Sequence, residues 1–171
     1  LCIENAREHP ADAALFGKLM PYLLRERDRF RLRSQAAEAA DQLMGLPDLR
    51  SYMETAYMLD SDRYSSLGAV CLEIPDMARI NGAQGFAYGS RLLWYASKTL
   101  TGLFGPSLVF RTGEAEFVAF CPNTTRQVFL GRCGRLRSIL QRRYPKQVRL
   151  GRAWSDGVFN GKRLTEEARL L

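Results

Sequence analysis

Acidic side chains stand at two places in the sequence where strands are predicted to end. Glu73 lies near the end of the apolar run Leu67–Ile74, and Glu114 and Glu116 flank the junction between two later apolar runs. Carboxylate oxygens are the ligands that Mg²⁺ prefers, and Mg²⁺ in turn binds the phosphates of nucleoside triphosphates. If the fold brings the two places together, the sequence predicts a carboxylate pair that could hold Mg²⁺ against such a nucleotide.

A zinc site is not expected, because the cysteines lack Cys-x-x-Cys spacing and the chain has one histidine. We expect reduced, mostly buried thiols in a cytoplasmic protein. No apolar run approaches the roughly 20 residues needed to cross a bilayer, and no signal peptide is predicted. The cysteines are Cys2, Cys71, Cys121 and Cys133, and the single histidine is His9.

The formal charge of +7 raises the question of a nucleic-acid partner. The basic residues of Arg132–Arg152 alternate with Leu136, Ile139 and Leu140 at helical spacing, which is typical of the solvated face of an amphipathic helix. A nucleic-acid surface would also need exposed aromatic side chains beside these arginines, and the sequence carries no such motif. No nucleic-acid partner is therefore predicted.

The elements that must position the acidic residues follow from hydrophobic periodicity. Their order is β-α-β-β-α-β with additions, which is the split βαβ arrangement of ferredoxin-like folds. The predicted class is α+β, with a central, mostly antiparallel sheet flanked by helices. The predicted helices are Leu49–Asp60, Asp76–Ile80, Gly89–Leu103, Thr125–Arg143 and Leu164–Leu171; the predicted strands are Leu67–Ile74, Ser107–Arg111, Glu116–Phe120 and Gln147–Trp154, the middle two joined by a hairpin at Thr112-Gly113.

The N-terminal part of the chain has a different pattern. A weak strand over Leu1–Ala6 precedes a short helix that Pro21 should end or kink, and a charged helix follows over about Tyr22 to Gln42. A charged helix with a thin apolar stripe usually connects domains or pairs with its copy in a dimer. We place the only domain boundary near Asp41.

Five segments from Asp41 onward, about three quarters of the chain, resemble in order and spacing the motifs of GGDEF domains, which synthesise cyclic di-GMP. The segments correspond to the family patterns DxLTGLPNR, LDIDxFKxIN, GHxxGD, RxGGDEF and SIGxA. In this chain they are Asp41–Asp48, Leu72–Asn81, Gly85–Ser90, Arg111–Phe117 and Leu150–Ala153.

The resemblance implies a nucleotidyl cyclase palm and a reaction in which two GTP molecules on facing domains are joined with the help of two metal ions. Glu73 stands at the first metal-binding position. Gly113, Glu116 and Phe117 match the signature, and Asn81 matches a guanine contact. The residues that remain are therefore a partial set.

The departures fall on residues that the family uses for chemistry. Ala115 replaces the second metal ligand, and Glu114 replaces a glycine at which substrate phosphates approach closely. Ala78 replaces the phosphate-binding lysine, and Ser90 replaces the acidic guanine contact. Pro75 replaces a further acidic residue, and the Arg-x-x-Asp product site of the family is absent because Phe104 and Ser107 occupy its ends.

The sequence thus predicts a catalytically degenerate GGDEF domain over residues 41–171 that serves as a regulatory or interaction module; the alternative is an active diguanylate cyclase with a non-standard site. No cofactor should be required, and Mg²⁺ and GTP would bind only through residual affinity. Residues 1–40 resemble the end of a GAF-type sensor module and a linker helix. The expected partners are a second copy through that helix, an upstream sensor, and a GGDEF or EAL protein.

Overall fold

The computed structural model of the chain describes residues 45–170 and contains five α-helices and four strands within that range. The predictions for the N-terminal strand, linker helix and sensor-like tail concern residues outside it. Within residues 45–170 no helix is long and apolar enough to cross a membrane. The elements are α1 (Leu49–Met58), β1 (Leu67–Glu73), α2 (Met77–Gln84), α3 (Phe86–Phe104), a 3₁₀ turn (Pro106–Leu108), β2 (Val109–Gly113), β3 (Glu116–Pro122), α4 (Arg126–Arg143), β4 (Arg149–Ser155) and α5 (Gly161–Arg169).

The four strands form one antiparallel sheet in the order β2-β3-β1-β4. This is the strand order of the split βαβ arrangement, so the predicted α+β, ferredoxin-like class is confirmed. The central strand β1 pairs with β3 on one side and β4 on the other, and it is buried at every position except the last, Glu73. Because β1 has helices on both faces, its sequence is a continuous apolar run rather than an alternating one.

Side-chain caps explain where three of the helices begin. The carboxylate of Asp48 accepts a hydrogen bond from the Ser51 amide at 2.9 Å, and the side chain of Asn160 accepts one from the Arg163 amide at 2.8 Å. Thr125 caps α4 through the amide of Val128. Each bond satisfies a backbone donor that the first turn of a helix leaves without a partner.

Several predicted boundaries were wrong, and at α2, α3 and the hairpin the reasons are local. The sequence placed helices at Asp76–Ile80 and Gly89–Leu103, whereas α2 and α3 are longer and only Gly85 separates them, with φ of +84°. The hairpin turn is at Glu114 and Ala115 rather than at Thr112-Gly113, because β2 continues to Gly113 through a register shift after Arg111. A glycine in a strand often marks such an irregularity.

The core has two layers, one on each face of the sheet. On one face α1 and α5 pack against residues such as Cys71, Val118 and Phe120. On the other, α2, α3 and α4 pack against residues such as Val70, Leu72 and Phe117. Alternate residues of β1 and β3 enter opposite layers, as the two-residue period of a strand requires.

Glycine at position 151 lets α5 lie directly against β4. A Cβ atom at Gly151 would stand 1.8 Å from the backbone oxygen of Ala168 in α5, and backbone cannot move aside as a flexible side chain can. A Cβ atom added at Gly134, on the exposed surface of α4, would meet no neighbouring atom within 4 Å.

The same substitution should therefore have opposite effects at these two sites. We expect Gly151→Ala to lower the free energy of unfolding by about 1–3 kcal/mol through overpacking. Gly134→Ala should raise it by about 0.5–1 kcal/mol, because alanine is the better helix former. Urea unfolding of both variants measures the two changes. A free energy of unfolding that is unchanged in Gly151→Ala would contradict the packing of α5 on β4.

The three cysteines of the described range, Cys71, Cys121 and Cys133, are buried and form no disulfide. Burial raises the pKa of the Cys71 thiol from its ordinary value of 9.0 to about 12 and that of Cys133 to about 11. Burial likewise raises the pKa of the Tyr52 phenol. In each case the apolar layer disfavours the anion, since it offers no water to solvate it.

These shifts predict a loss of stability at high pH. Below about pH 9 the thiols are protonated in both the folded and the unfolded chain, so their contribution is constant. Above it the unfolded chain loses protons that the folded chain keeps, and the free energy of unfolding should fall by up to about 1.4 kcal/mol per pH unit for each thiol. Urea titrations between pH 8 and pH 11 should show this slope, and Cys71→Ala should reduce it; a slope unchanged in that variant would contradict the assignment.

Candidate functional site

Three charged side chains lie in one row across the end of the sheet. Glu73, the last residue of β1, is the register partner of Glu116 in β3 and of Arg149 in β4. Directly opposed residues of antiparallel strands project from the same face, which here is the face of α1 and α5. The register thus brings Glu73 together with Glu116, one residue from each of the two acidic places.

Arginines of the chain itself pair with both carboxylates. Arg149 Nη1 lies 3.9 Å from Glu73 Oε2. Arg169, at the end of α5, donates from Nε to Glu116 Oε1 at 2.9 Å and also donates from Nη2 to the same oxygen. Glu116 is the more protected of the two carboxylates, since its side chain is 31% exposed compared with 54% for Glu73.

A surface cavity of about 470 Å³ opens at this row. Its walls come from the ends of β1, β3 and β4 and from the last turn of α5. The charged residues of the lining are the four members of the two ion pairs; the other lining residues are Cys71, Leu72, Leu150, Gly151 and Ala168.

Ala115 lies away from this row. Its carbonyl accepts a hydrogen bond from the Ile74 amide at 2.9 Å, which continues the β1–β3 ladder by one step. Its methyl group is partly buried and packs against the core on the face of α2, α3 and α4. The position that the family resemblance assigns to a metal ligand is therefore a hydrophobic contact in this protein.

The hairpin tip is held by Arg111. Its Nε donates to the carbonyl of Gly113 at 3.2 Å, and its Nη2 donates to the carbonyl of Glu114. Desolvation lowers the pKa of this guanidinium from its ordinary value. Neither Glu114 nor Ala115 has a positive φ, so Glu114 occupies a family glycine position without the backbone strain that a left-handed residue would suffer.

The predicted nucleotide-binding residues lie on α2 and α3. Ala78 and Ser90 are exposed. The Asn81 side chain is directed at α3: its Oδ1 is buried without a hydrogen-bond partner, and it would stand 2.0 Å from a Cβ atom at position 89. Glycine at 89 is therefore necessary for Asn81 to occupy this place between the two helices.

The side chains present do not fit a Mg²⁺–triphosphate site. Within residues 45–170 no three His, Cys, Asp or Glu side chains come together to hold a metal ion. Glu73 and Glu116 are each paired with a guanidinium, and Ala115 offers a methyl group. Carboxylates in ion pairs would have to lose these partners before binding a cation, so we derive no catalytic step through a metal.

Neither arginine of the row was expected from the sequence. Arg149 could have been found by extending the strand pairing, since it stands one residue before the SIGxA-like segment that starts at Leu150. Arg169 carries no sequence signal, because only the packing of α5 across the sheet brings it to Glu116.

No protein-family model matches the chain, and no curated protein matches it. Solved structures do resemble it. The coiled coil and GGDEF domain of DgcB from Caulobacter crescentus, in complex with c-di-GMP, has 18% identity and a TM-score of 0.65, with 95% of this chain and 92% of that chain covered.

Two further structures place a similar domain in larger assemblies. The diguanylate cyclase SiaD of Pseudomonas aeruginosa, in complex with its activator SiaC, has 17% identity and a TM-score of 0.60, with 99% of this chain and 70% of that chain covered. The S helix-GGDEF-EAL protein LapD of Vibrio cholerae has 14% identity and a TM-score of 0.62, with 80% and 36% covered. At these identities the comparisons show the fold alone, and that fold is the fold of GGDEF domains.

Proposed function

We propose that the chain is a catalytically degenerate GGDEF domain that acts as a regulatory or interaction module in cyclic di-GMP-type signalling. One observation carries the proposal: the two carboxylates at the end of β1 and β3 are paired with Arg149 and Arg169. In a cyclase the corresponding region must attract Mg²⁺ and the phosphates of GTP. In this chain each carboxylate has a cation of its own.

Electrostatics at the hairpin tip supports the same conclusion. Glu114 is exposed at a position where the family has glycine, and its negative charge would repel an incoming triphosphate. The exposed Ala78 supplies no ammonium group to counter this repulsion. A bound metal ion typically stabilises developing phosphoryl charge by several kcal/mol. The guanidinium groups of Arg149 and Arg169 are each paired with a carboxylate of the row, which reduces the positive charge that they could offer in place of a metal.

A domain without catalytic activity can signal only through its contacts with other domains or proteins. The similar structures suggest which contacts these are. SiaD is in complex with its activator, the LapD structure comprises an S helix, a GGDEF and an EAL, and the DgcB structure includes a coiled coil. By analogy we infer that this chain dimerises through the helix predicted from Tyr22 to Gln42 and transmits the state of an upstream sensor. That helix lies outside the described residues.

The alternative function is an active diguanylate cyclase with an unusual site. The observation that favours it is the register itself, which places Glu73 directly opposite Glu116 beside a cavity. Activity would require the two arginines to swing away and leave the carboxylates for a metal.

A titration with GTP in the presence of Mg²⁺, followed by chromatography of the same sample, distinguishes the two functions. We expect no cyclic di-GMP, because the metal and phosphate ligands are missing. Heat of binding without product would indicate a nucleotide-sensing regulator, and no heat would indicate a scaffold. Product would show that Glu73 and Glu116 bind metal and that the proposal is wrong.

Partial repair of the signature should not restore activity. The double variant Glu114→Gly, Ala115→Asp removes the repulsive charge and adds a carboxylate, but Ala78 and Ser90 still lack the groups that would hold phosphate and guanine. We expect its rate of cyclic di-GMP formation to remain at background. Robust turnover by this variant, in the same assay, would mean that the site has decayed less deeply than proposed.

A further inference from the structure

The positive charge of the chain is concentrated in one stretch. Residues 117–155 contain nine of the 25 Lys and Arg residues and none of the 18 Asp and Glu residues. Most of this charge belongs to α4, whose 18 residues include six arginines and no acid. The net charge of +7 is therefore a local property of α4 and the residues that follow it.

The fold adds the charges of α3 to those of α4. The two helices pack together on the same side of the sheet, with Phe104 against Phe129 and with the guanidinium of Arg143 4.8 Å from the ring centre of Tyr95. α3 carries two cations and no acid. We call the outer surface of this pair the α3–α4 face; its exposed cations are Arg91, Lys98, Arg126, Arg135, Arg137, Arg142 and Arg143.

These cations have no carboxylate partner among residues 45–170. On the helices of the opposite face, in contrast, basic and acidic residues form pairs. On α1 and α5, across the sheet, Arg50 pairs with Glu54 and Arg163 with Glu167 at 3.1 Å. One side of the domain therefore has mixed charges that neutralise each other locally, whereas the α3–α4 face has charge of a single sign.

Apolar side chains are exposed between the cations. Trp94 on α3 is 48% exposed, and Val128 and Ile139 on α4 are 49% and 38% exposed. Tryptophan and basic residues together are typical of surfaces at the boundary between lipid headgroups and acyl chains. Valine and isoleucine cannot stack on bases, so this mixture favours lipid over nucleic acid as the anionic partner.

We propose that the α3–α4 face binds the surface of an anionic lipid bilayer. Arg135 and Arg142, seven residues apart and so two turns apart on the same side of α4, contact lipid phosphates. Trp94, Val128 and Ile139 enter the headgroup layer. The binding is peripheral and mainly electrostatic, with a smaller apolar part, and it is independent of any affinity for nucleotides.

Sedimentation with phosphatidylcholine vesicles, with and without phosphatidylglycerol, tests the proposal. We expect partitioning onto the anionic vesicles only, and weaker partitioning at higher salt because exposed charges are screened. The variant Arg135→Gln, Arg142→Gln should partition about 30-fold less, given roughly fivefold for each basic residue near an anionic surface. Trp94→Ala should weaken the part of the binding that salt does not remove.

The matched control is Arg50→Gln, Arg163→Gln, which removes the same charge from the opposite side of the sheet. It should change partitioning by less than about threefold, since these residues would face away from the bilayer. Equal losses in the two double variants would mean that net charge alone acts, and the proposal would be wrong. Circular dichroism confirms that each variant is folded.

A duplex RNA oligonucleotide supplies the competing test. One outcome is that the chain binds this RNA, that the double variant Arg135→Gln, Arg142→Gln does not, and that the chain partitions onto neither vesicle preparation. In that case the α3–α4 face recognises nucleic acid, and the bilayer proposal is overturned. If RNA does not displace the chain from anionic vesicles, the proposal stands.

Discussion

The antiparallel pairing of β1 with both of its neighbours positions the two layers of the core and the charged row. Seven consecutive residues of β1 pair with β3 and with β4, and its first six are buried beneath helices on both faces. A register shift of one residue would exchange the two faces and move each side chain of β1 into the other helix layer, so the packing of both layers, rather than an alternation of polarity, holds the observed alignment. That alignment places Glu73 between Glu116 and Arg149 at the edge of the core. The position of the charged row is therefore a consequence of the pairing of β1 with β3 and β4.

The row combines the carboxylate pair of a possible cation site with two cations of the chain itself. Glu73 and Glu116 meet where two paired strands adjoin, as a metal site would require. Their charge is balanced by guanidinium groups from β4 and from the last turn of α5. Since these pairs are partly exposed, each contributes little to stability, roughly 0–1 kcal/mol. Their main effect is on what the site can bind, because a carboxylate that already has a cation attracts a second one less strongly.

The sheet also separates two groups of helices that differ in the sign of their charged residues. The helices on one face carry acids and bases in local pairs, whereas α3 and α4 carry only bases. Such a division does not stabilise the fold, since like charges on one face repel. A single-sign surface with exposed aromatic and aliphatic side chains is instead a property that acts on partners. The chemistry of the strand ends and the charge of the α3–α4 face are thus two separate features, on opposite sides of the sheet.

Periodicity and motif spacing are local properties, and they were enough to predict the order of the elements, the α+β class and the resemblance in which Glu114 and Ala115 depart from the GGDEF pattern. They misplaced the hairpin turn and the ends of α2 and α3, which depend on a strand irregularity and on the backbone at Gly85. The contact of Arg169 with Glu116, 53 residues away, and the basic face shared by α3 and α4 are visible only in the folded domain. Both features arise from packing on the sheet, where the partner of a side chain is set by the strand register and by the helix that covers it.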